Sequence, residues 1–296
     1  MTGDSASAIA PRLMVLGAAL LFSTGGAAIK ACELDAWQIA AFRSGVAALF
    51  LITVSRPLRP LRDPRPWLVG VAYAATMLLY VGANKTTTAA DSIFLQSTAP
   101  LYVMLLGPVL LREVPTGRDL RLGAVIAAGL LLVIGGAQSP AATAPAPAVG
   151  KALGAASGVT WALTLVGLRW LGRTPVAGHG SASVIAGNVL AFAAGLPFAL
   201  PVAAPGAGDV ALVLYLGVAQ IGLAYILLTR GIRRVRAVEA ALLLLAEPVL
   251  NPLWSWAAHG ETPSWPTLAG GGLILAATAA HLAGGRQGSD PGRPNR

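Results

Sequence analysis

Long apolar runs recur along the whole chain, separated by short polar connections. Ten of these runs approach the roughly 20 apolar residues that a helix needs to cross a bilayer. Their predicted extents are 13–30, 37–54, 67–83, 92–111, 120–136, 150–170, 182–203, 210–228, 239–257 and 267–284. The longest connections are 55–66, 137–149 and 171–181. The second of these is uncharged, rich in Pro and Ala and close to mid-chain, the pattern of a linker. It divides the predicted chain into residues 1–136 with five spans, the linker 137–149, residues 150–284 with five more, and a polar tail over 285–296.

Composition supports the membrane reading. The chain has 296 residues, of which 55% are hydrophobic and only 11% charged, with a mean hydropathy of +0.69. A soluble domain carries about 25% charged residues, so an ordinary water-solvated enzyme is excluded. The net charge of +9 points to nucleic acid only if the cations share one surface. Instead they follow the predicted topology. With the N-terminus inside, the inside segments hold Arg12; Arg56, Arg59, Arg62 and Arg65; Arg112, Arg118 and Arg121; Arg169 and Arg173; Arg230, Arg233, Arg234 and Arg236; and Arg286, Arg293 and Arg296. The outside segments hold only Lys30, Lys85 and Lys151, and Arg43 falls within a span. This is the positive-inside distribution. It predicts cytoplasmic termini and needs no nucleic-acid partner. The single cysteine, Cys32, allows no intrachain disulfide. No Cys/His cluster suggests a metal, no cofactor is implied, and Gly150-Lys151 is followed by Ala, so no phosphate-binding loop is present.

Displaced by 148 residues, the chain matches itself. Lys85 falls on Arg233, Asp91 on Glu239, Pro100 on Pro248, Glu113 on Glu261, Pro115 on Pro263, Gly123 on Gly271 and Gly136 on Gly284. Charged residues and prolines at fixed spacing do not recur by chance as apolar ones do. Five spans per repeat is an odd number, so the second copy enters the membrane upside down. The loop charges agree: 112–121 carries three Arg and its counterpart 260–269 none, while 229–236 carries four Arg and 81–88 one Lys. The predicted fold class is an all-α membrane protein of ten transmembrane helices, arranged as two inverted five-helix repeats around a central cavity. Such repeats imply transport by alternating access, through exchange of conformations between the halves.

The segments Ala-Ala-Asp-Ser-Ile-Phe-Leu-Gln-Ser-Thr-Ala-Pro-Leu-Tyr (89–102) and Leu-Leu-Arg-Glu-Val-Pro-Thr (110–116) reappear in the second half as Leu-Leu-Leu-Leu-Ala-Glu-Pro-Val-Leu-Asn-Pro (242–252) and Gly-Glu-Thr-Pro (260–263). With 22–30, 123–132 and 161–169, these segments resemble the EamA family of the drug/metabolite transporter superfamily, across nearly the whole chain. The resemblance implies a ten-helix basket with cytoplasmic termini in a bacterial inner membrane. It also implies export of small metabolites, with neutral or aromatic amino acids as the expected cargo; other metabolites and drugs are carried within the same superfamily.

Glu247 is the carboxylate well inside a predicted span, where a charge costs at least about 2.5–3.5 kcal/mol on insertion scales. It either faces the cavity, to bind an amino group or carry a proton, or pairs with Arg43 or Asn251 to fix packing. Arg43 either meets a substrate carboxylate, pairs with Glu247 as a charge relay, or snorkels outward. The other cavity candidates are Ser23, Thr24, Thr76, Tyr80, Gln96, Trp161, Gln220, Tyr225 and Asn251. Thr76 and Tyr80 share a helix face, as do Glu247 and Asn251. Trp161 is mid-span, away from the interfacial positions usual for Trp. Pro100 and Pro248 are expected to kink their helices. Gly150, Gly154 and Gly158 form a face for close helix packing. A membrane enzyme on lipid-linked substrates is the alternative class; it requires an acidic metal site or a Ser/His pair in facing spans, and His179 and Ser181 sit in a short loop. The oligomeric state is open, with a monomer sufficient.

Overall fold

A computed structural model describes residues 3–55, 60–110, 116–136, 140–172, 178–202, 205–231, 243–244 and 246–284. Among these residues there is no strand element. The helices are α1 (Gly3–Ser23), α2 (Gly25–Ala31), α3 (Ala36–Ser55), α4 (Pro64–Thr86), α5 (Ala89–Gln96), α6 (Ala99–Leu110), α7 (Gly117–Gly135), α8 (Pro147–Gly172) and α9 (His179–Ala199). They continue with α10 (Ala207–Leu214), a π-helical stretch (Tyr215–Leu223), α11 (Ala224–Gly231), α12 (Ala246–His259) and α13 (Trp265–Gly284). Local chemistry sets their starts. Asp63 accepts from the Arg65 N–H at the head of α4, Thr88 from the Asp91 N–H of α5, and Thr116 and Asp119 form a reciprocal capping box on α7.

Among the described residues, seven stretches are long and apolar enough to cross a membrane: Ala10–Ala31, Ala36–Ser55, Pro64–Thr86, Ala89–Leu110, Pro147–Leu171, His179–Ala199 and Ala207–Leu228. The other three predicted spans take different forms. α7 is a helix of 19 residues with Arg118, Asp119 and Arg121 near its start. The predicted span 239–257 lies partly outside the described residues, which resume as α12. α13 is a helix of 20 residues, apolar over Trp265–Ala280 among the described side chains.

The side-chain distribution departs from that of a water-soluble protein. Leu49, Leu68, Leu105, Val109 and Leu131 are each more than 60% exposed, whereas Arg43, Asn84, Asp91, Asn188 and Asn251 are buried. Apolar residues outside and polar residues within suit a protein whose surroundings are hydrocarbon.

Packing interleaves the two predicted halves. α4 packs on α8 and α9, α3 on α9, α1 on α11 and α7 on α13. The Gly150-Gly154-Gly158 face of α8 lies against the α4–α5 junction; a Cβ at Gly158 would stand 2.8 Å from the Leu95 carbonyl oxygen. At the α7–α13 crossing, a Cβ on Gly129 would come within 2.7 Å of the Gly270 oxygen. Only glycine permits such an approach.

α4 carries Arg65 near its start, just after Arg62, and Lys85 near its end, while α8 carries Lys151 near its start and Arg169 near its end. The three lysines therefore share one end of the bundle, and all three cap helix ends there. Lys85 Nζ donates to the Cys32 carbonyl at 2.6 Å, just past α2. Lys30 Nζ donates to the Thr87 carbonyl at 2.8 Å, just past α4, and to that of Thr143 at 2.5 Å. Lys151 donates to the carbonyls of Val133 and Gly136 at the end of α7. Ammonium groups at helix C-termini satisfy orphan carbonyls and oppose the helix dipole.

Candidate functional site

A cavity of about 190 Å³ lies inside the bundle. It is bounded by Phe22 of α1, Arg43 of α3, Thr76, Met77 and Tyr80 of α4, Gln96 of α5 and Trp161 of α8. The wall is completed by Gln220 and Ile221 of the π-helical stretch, Tyr225 and Leu228 of α11, Leu244, and Glu247 of α12. One turn of α4 separates Thr76 from Tyr80, which directs both into the cavity. The π-helical stretch carries Gln220 to the wall, where its Nε2 donates to the Phe22 carbonyl at 3.4 Å and its Oε1 lacks a partner. π-helical turns are frequent at functional sites because they re-aim side chains. Gln96 Nε2 donates to Ser157 Oγ at 2.7 Å, and Thr76 Oγ1 lies 2.9 Å from Thr160 Oγ1. Phe22, Tyr73 and Tyr225 stack edge to face, with centroids 5.1 Å and 5.7 Å apart.

The charges in the cavity are unusual. Arg43 is 1% exposed, so it does not snorkel. Its Nη2 donates to the Met77 carbonyl at 3.3 Å, and its Nε has no partner. Glu247 makes no hydrogen bond or ion pair among the described residues, and none joins it to Arg43. A guanidinium offers five donors and a carboxylate two acceptor oxygens. Both are left with capacity facing one enclosed space.

Of the sequence-predicted candidates, Thr76, Tyr80, Gln96, Trp161, Gln220, Tyr225, Glu247 and Arg43 are thus brought together. Ser23, Thr24 and Asn251 are not on the cavity wall. Ser23 Oγ accepts from Trp254 Nε1 at 3.0 Å, and Thr24 Oγ1 is 2.7 Å from the Tyr215 hydroxyl, so both tie the α1–α2 break to its neighbours. Asn251 stands behind the wall and donates from Nδ2 to the Tyr80 hydroxyl at 3.1 Å. Pro100 lies in the first turn of α6, after a break at Ser97 and Thr98, and Pro248 lies near the start of α12. His179 Nε2 is 3.4 Å from Asp63 Oδ2, an acidic neighbour its own loop did not suggest. Sequence reasoning missed the apolar lining of Phe22, Met77, Ile221, Leu228 and Leu244, because such residues look alike whether they face lipid, core or cavity.

No group of three or more His, Cys, Asp or Glu among the described residues is arranged to hold a metal ion. No curated protein matches the chain. A solved crystal structure shares the fold, with a TM-score of 0.65 at 23% identity over 95% of this chain and 99% of that one. The profile of the EamA-like transporter family matches twice, over residues 11–135 and again over 148–282. The chain belongs to the EamA-like transporter family and is a membrane transporter of small metabolites.

Proposed function

We propose that this chain exports amino acids, neutral or aromatic, from the cytoplasm across a bacterial inner membrane. The observation that carries the reading is the pair of opposite charges, Arg43 and Glu247, facing one cavity without pairing to each other. A zwitterion presents a carboxylate and an ammonium a few ångströms apart. Arg43 takes the carboxylate, Glu247 the ammonium, and Trp161, Phe22 and Tyr225 receive the side chain. A cavity of about 190 Å³ is below the roughly 300–1,000 Å³ of pockets for drug-sized ligands, which favours a cargo of amino-acid size.

The mechanism is alternating access at this cavity, with both termini cytoplasmic and two inverted five-helix halves, 1–136 and 150–284, rocking against each other. The double family match, the 148-residue self-similarity and the one-sided Arg distribution support it. Efflux from proteoliposomes loaded with a panel of amino acids, with and without a pH gradient, tests the cargo. Efflux of none of them, with efflux of a neutral drug or sugar instead, overturns the amino-acid reading. A proton-coupled rate unchanged in Glu247→Gln removes the proton-carrier role and leaves that of ammonium ligand.

A further inference from the structure

At the lysine end of the bundle, one buried ion pair ties the two family-matched stretches together. Lys30 lies in the first and Glu261 in the second. Their charged atoms are 3.1 Å apart and their side chains are 3% and 4% exposed. The other Glu261 oxygen accepts from the Ala89 N–H at 2.9 Å, at the head of α5. In the same first turn of α5, Asp91 accepts from Thr267 Oγ1 of α13 at 2.6 Å. The tie thus joins α2, α5 and the α12–α13 connection. It lies beyond the cavity: along α4, Thr87 follows the cavity residues Tyr80 and Thr76 by about 10 and 16 Å at 1.5 Å per residue.

We infer that Lys30 and Glu261 are positioning residues for transport, their ion pair forming a latch that holds the lysine-side face closed and parts when the cavity opens there. The inference rests on the alternating-access reading above. Two physical features distinguish a latch from plain packing. A buried ion pair gains little net stability, because desolvation offsets most of the Coulomb attraction. Water entering an opening face rehydrates both ions, so the pair exchanges at small net cost where an apolar seal does not. Lys30, and Ala89 whose N–H holds Glu261, also sit on short, interrupted backbone. Lys30 is on the seven-residue helix α2, separated from α1 at Thr24, whose side chain does not cap α2, and Ala89 begins the eight-residue helix α5. Such breaks let a segment move without unfolding a long helix.

The test uses the full chain in sided membrane vesicles. Cys32→Ala removes the native thiol, Ile221→Cys places a reporter on the cavity wall, and an exposed Ala142→Cys marks the lysine-side face in parallel samples. A membrane-impermeant maleimide is applied to that face. Glu261→Gln and Lys30→Met each raise labelling of the Ile221→Cys reporter about tenfold or more, through the population shift that follows loss of the latch. Unchanged labelling overturns the inference. So does a parallel rise at Ile126→Cys, a site buried in α7 and off the cavity wall, because that reports general loosening. In Lys30→Cys/Glu261→Cys, bridging by a short bifunctional methanethiosulfonate stops efflux and reduction restores it; efflux that continues while bridged overturns the latch. Labelling is read without any cargo, so a failed amino-acid panel leaves that result standing.

Discussion

At the lysine end, Lys30 meets Glu261, Lys85 and Lys151 close on helix-end carbonyls, and Asp91 accepts from Thr87 and Thr267. In the cavity, Arg43 keeps an unpartnered Nε and Glu247 has no partner among the described residues, although both border the same space. One region uses buried charge to finish helices and join halves. The other keeps it unspent. Burying a polar group without a partner costs roughly 1–3 kcal/mol, and more for an ion, so a fold that accepts this cost inside a cavity is prepared for a ligand. Buried atoms without a hydrogen bond also occur away from the cavity, at Ser44, Asn84, Asn188 and Ser255, so an unpartnered buried group marks a candidate only where it also borders the cavity.

The contrast breaks first under single substitutions at each end. Lys30→Met strands Glu261 as an uncompensated buried charge and frees the Thr87 and Thr143 carbonyls. Loss of one partner of a buried pair costs about 3–5 kcal/mol, expected as a clear fall in Tm of the detergent-purified protein. Arg43→Met is expected to behave oppositely. It removes a buried cation with no ion partner, so Tm holds or rises. Efflux falls by about thirtyfold or more, as for truncating a buried charge that meets a charged ligand. A matching fall in Tm for Arg43→Met erases the distinction between the two regions.

A smaller effect separates wall from support. Asn251 does not touch the cavity but holds the Tyr80 hydroxyl. Asn251→Ala removes a hydrogen bond with a net worth of about 0.5–1.5 kcal/mol. The expected outcome is a KM for efflux raised about three- to tenfold with kcat nearly unchanged, since the change acts through Tyr80. A collapse of kcat instead places Asn251 in direct contact with cargo.

Much of this was legible in the chain because hydrocarbon imposes a coarse rule: apolar runs become helices, and among the described residues Arg62, Arg65 and Arg169 lie at the end of α4 and α8 opposite the lysines. Arg43 and Glu247 were visible for the same reason, as ions inside apolar runs. Thr24 and Ser23 looked equally suitable, yet the α1–α2 break turns them toward Tyr215 and Trp254, and a break of one residue leaves little trace in hydropathy. The Ser97–Thr98 break between α5 and α6 was hidden similarly, behind the more visible Pro100. The lysines were read only as a topology count. Their capping role depends on which helix ends meet in space, through residues as distant as Lys30 and Glu261, and neither spacing nor composition encodes that meeting.

A thiol of the native sequence sharpens the comparison further. Cys32 is 1% exposed, directly after α2, and its carbonyl is the one that Lys85 caps. Burial pushes its thiol up to about 11, above the ordinary value of about 8.5. The thiolate is the reactive form, so at pH 8 the wild-type protein is expected to react with a water-soluble maleimide more than tenfold more slowly than a free thiol. The rate rises with pH as the thiolate fraction grows toward a pKa of about 11. The closed lysine face contributes the burial, so Glu261→Gln both uncovers the thiol and lowers its pKa, and labelling at pH 8 speeds up. A Cys32 that is already fast in the wild type shows that the lysine end is not closed, and the contrast between a satisfied end and an expectant cavity loses its first half.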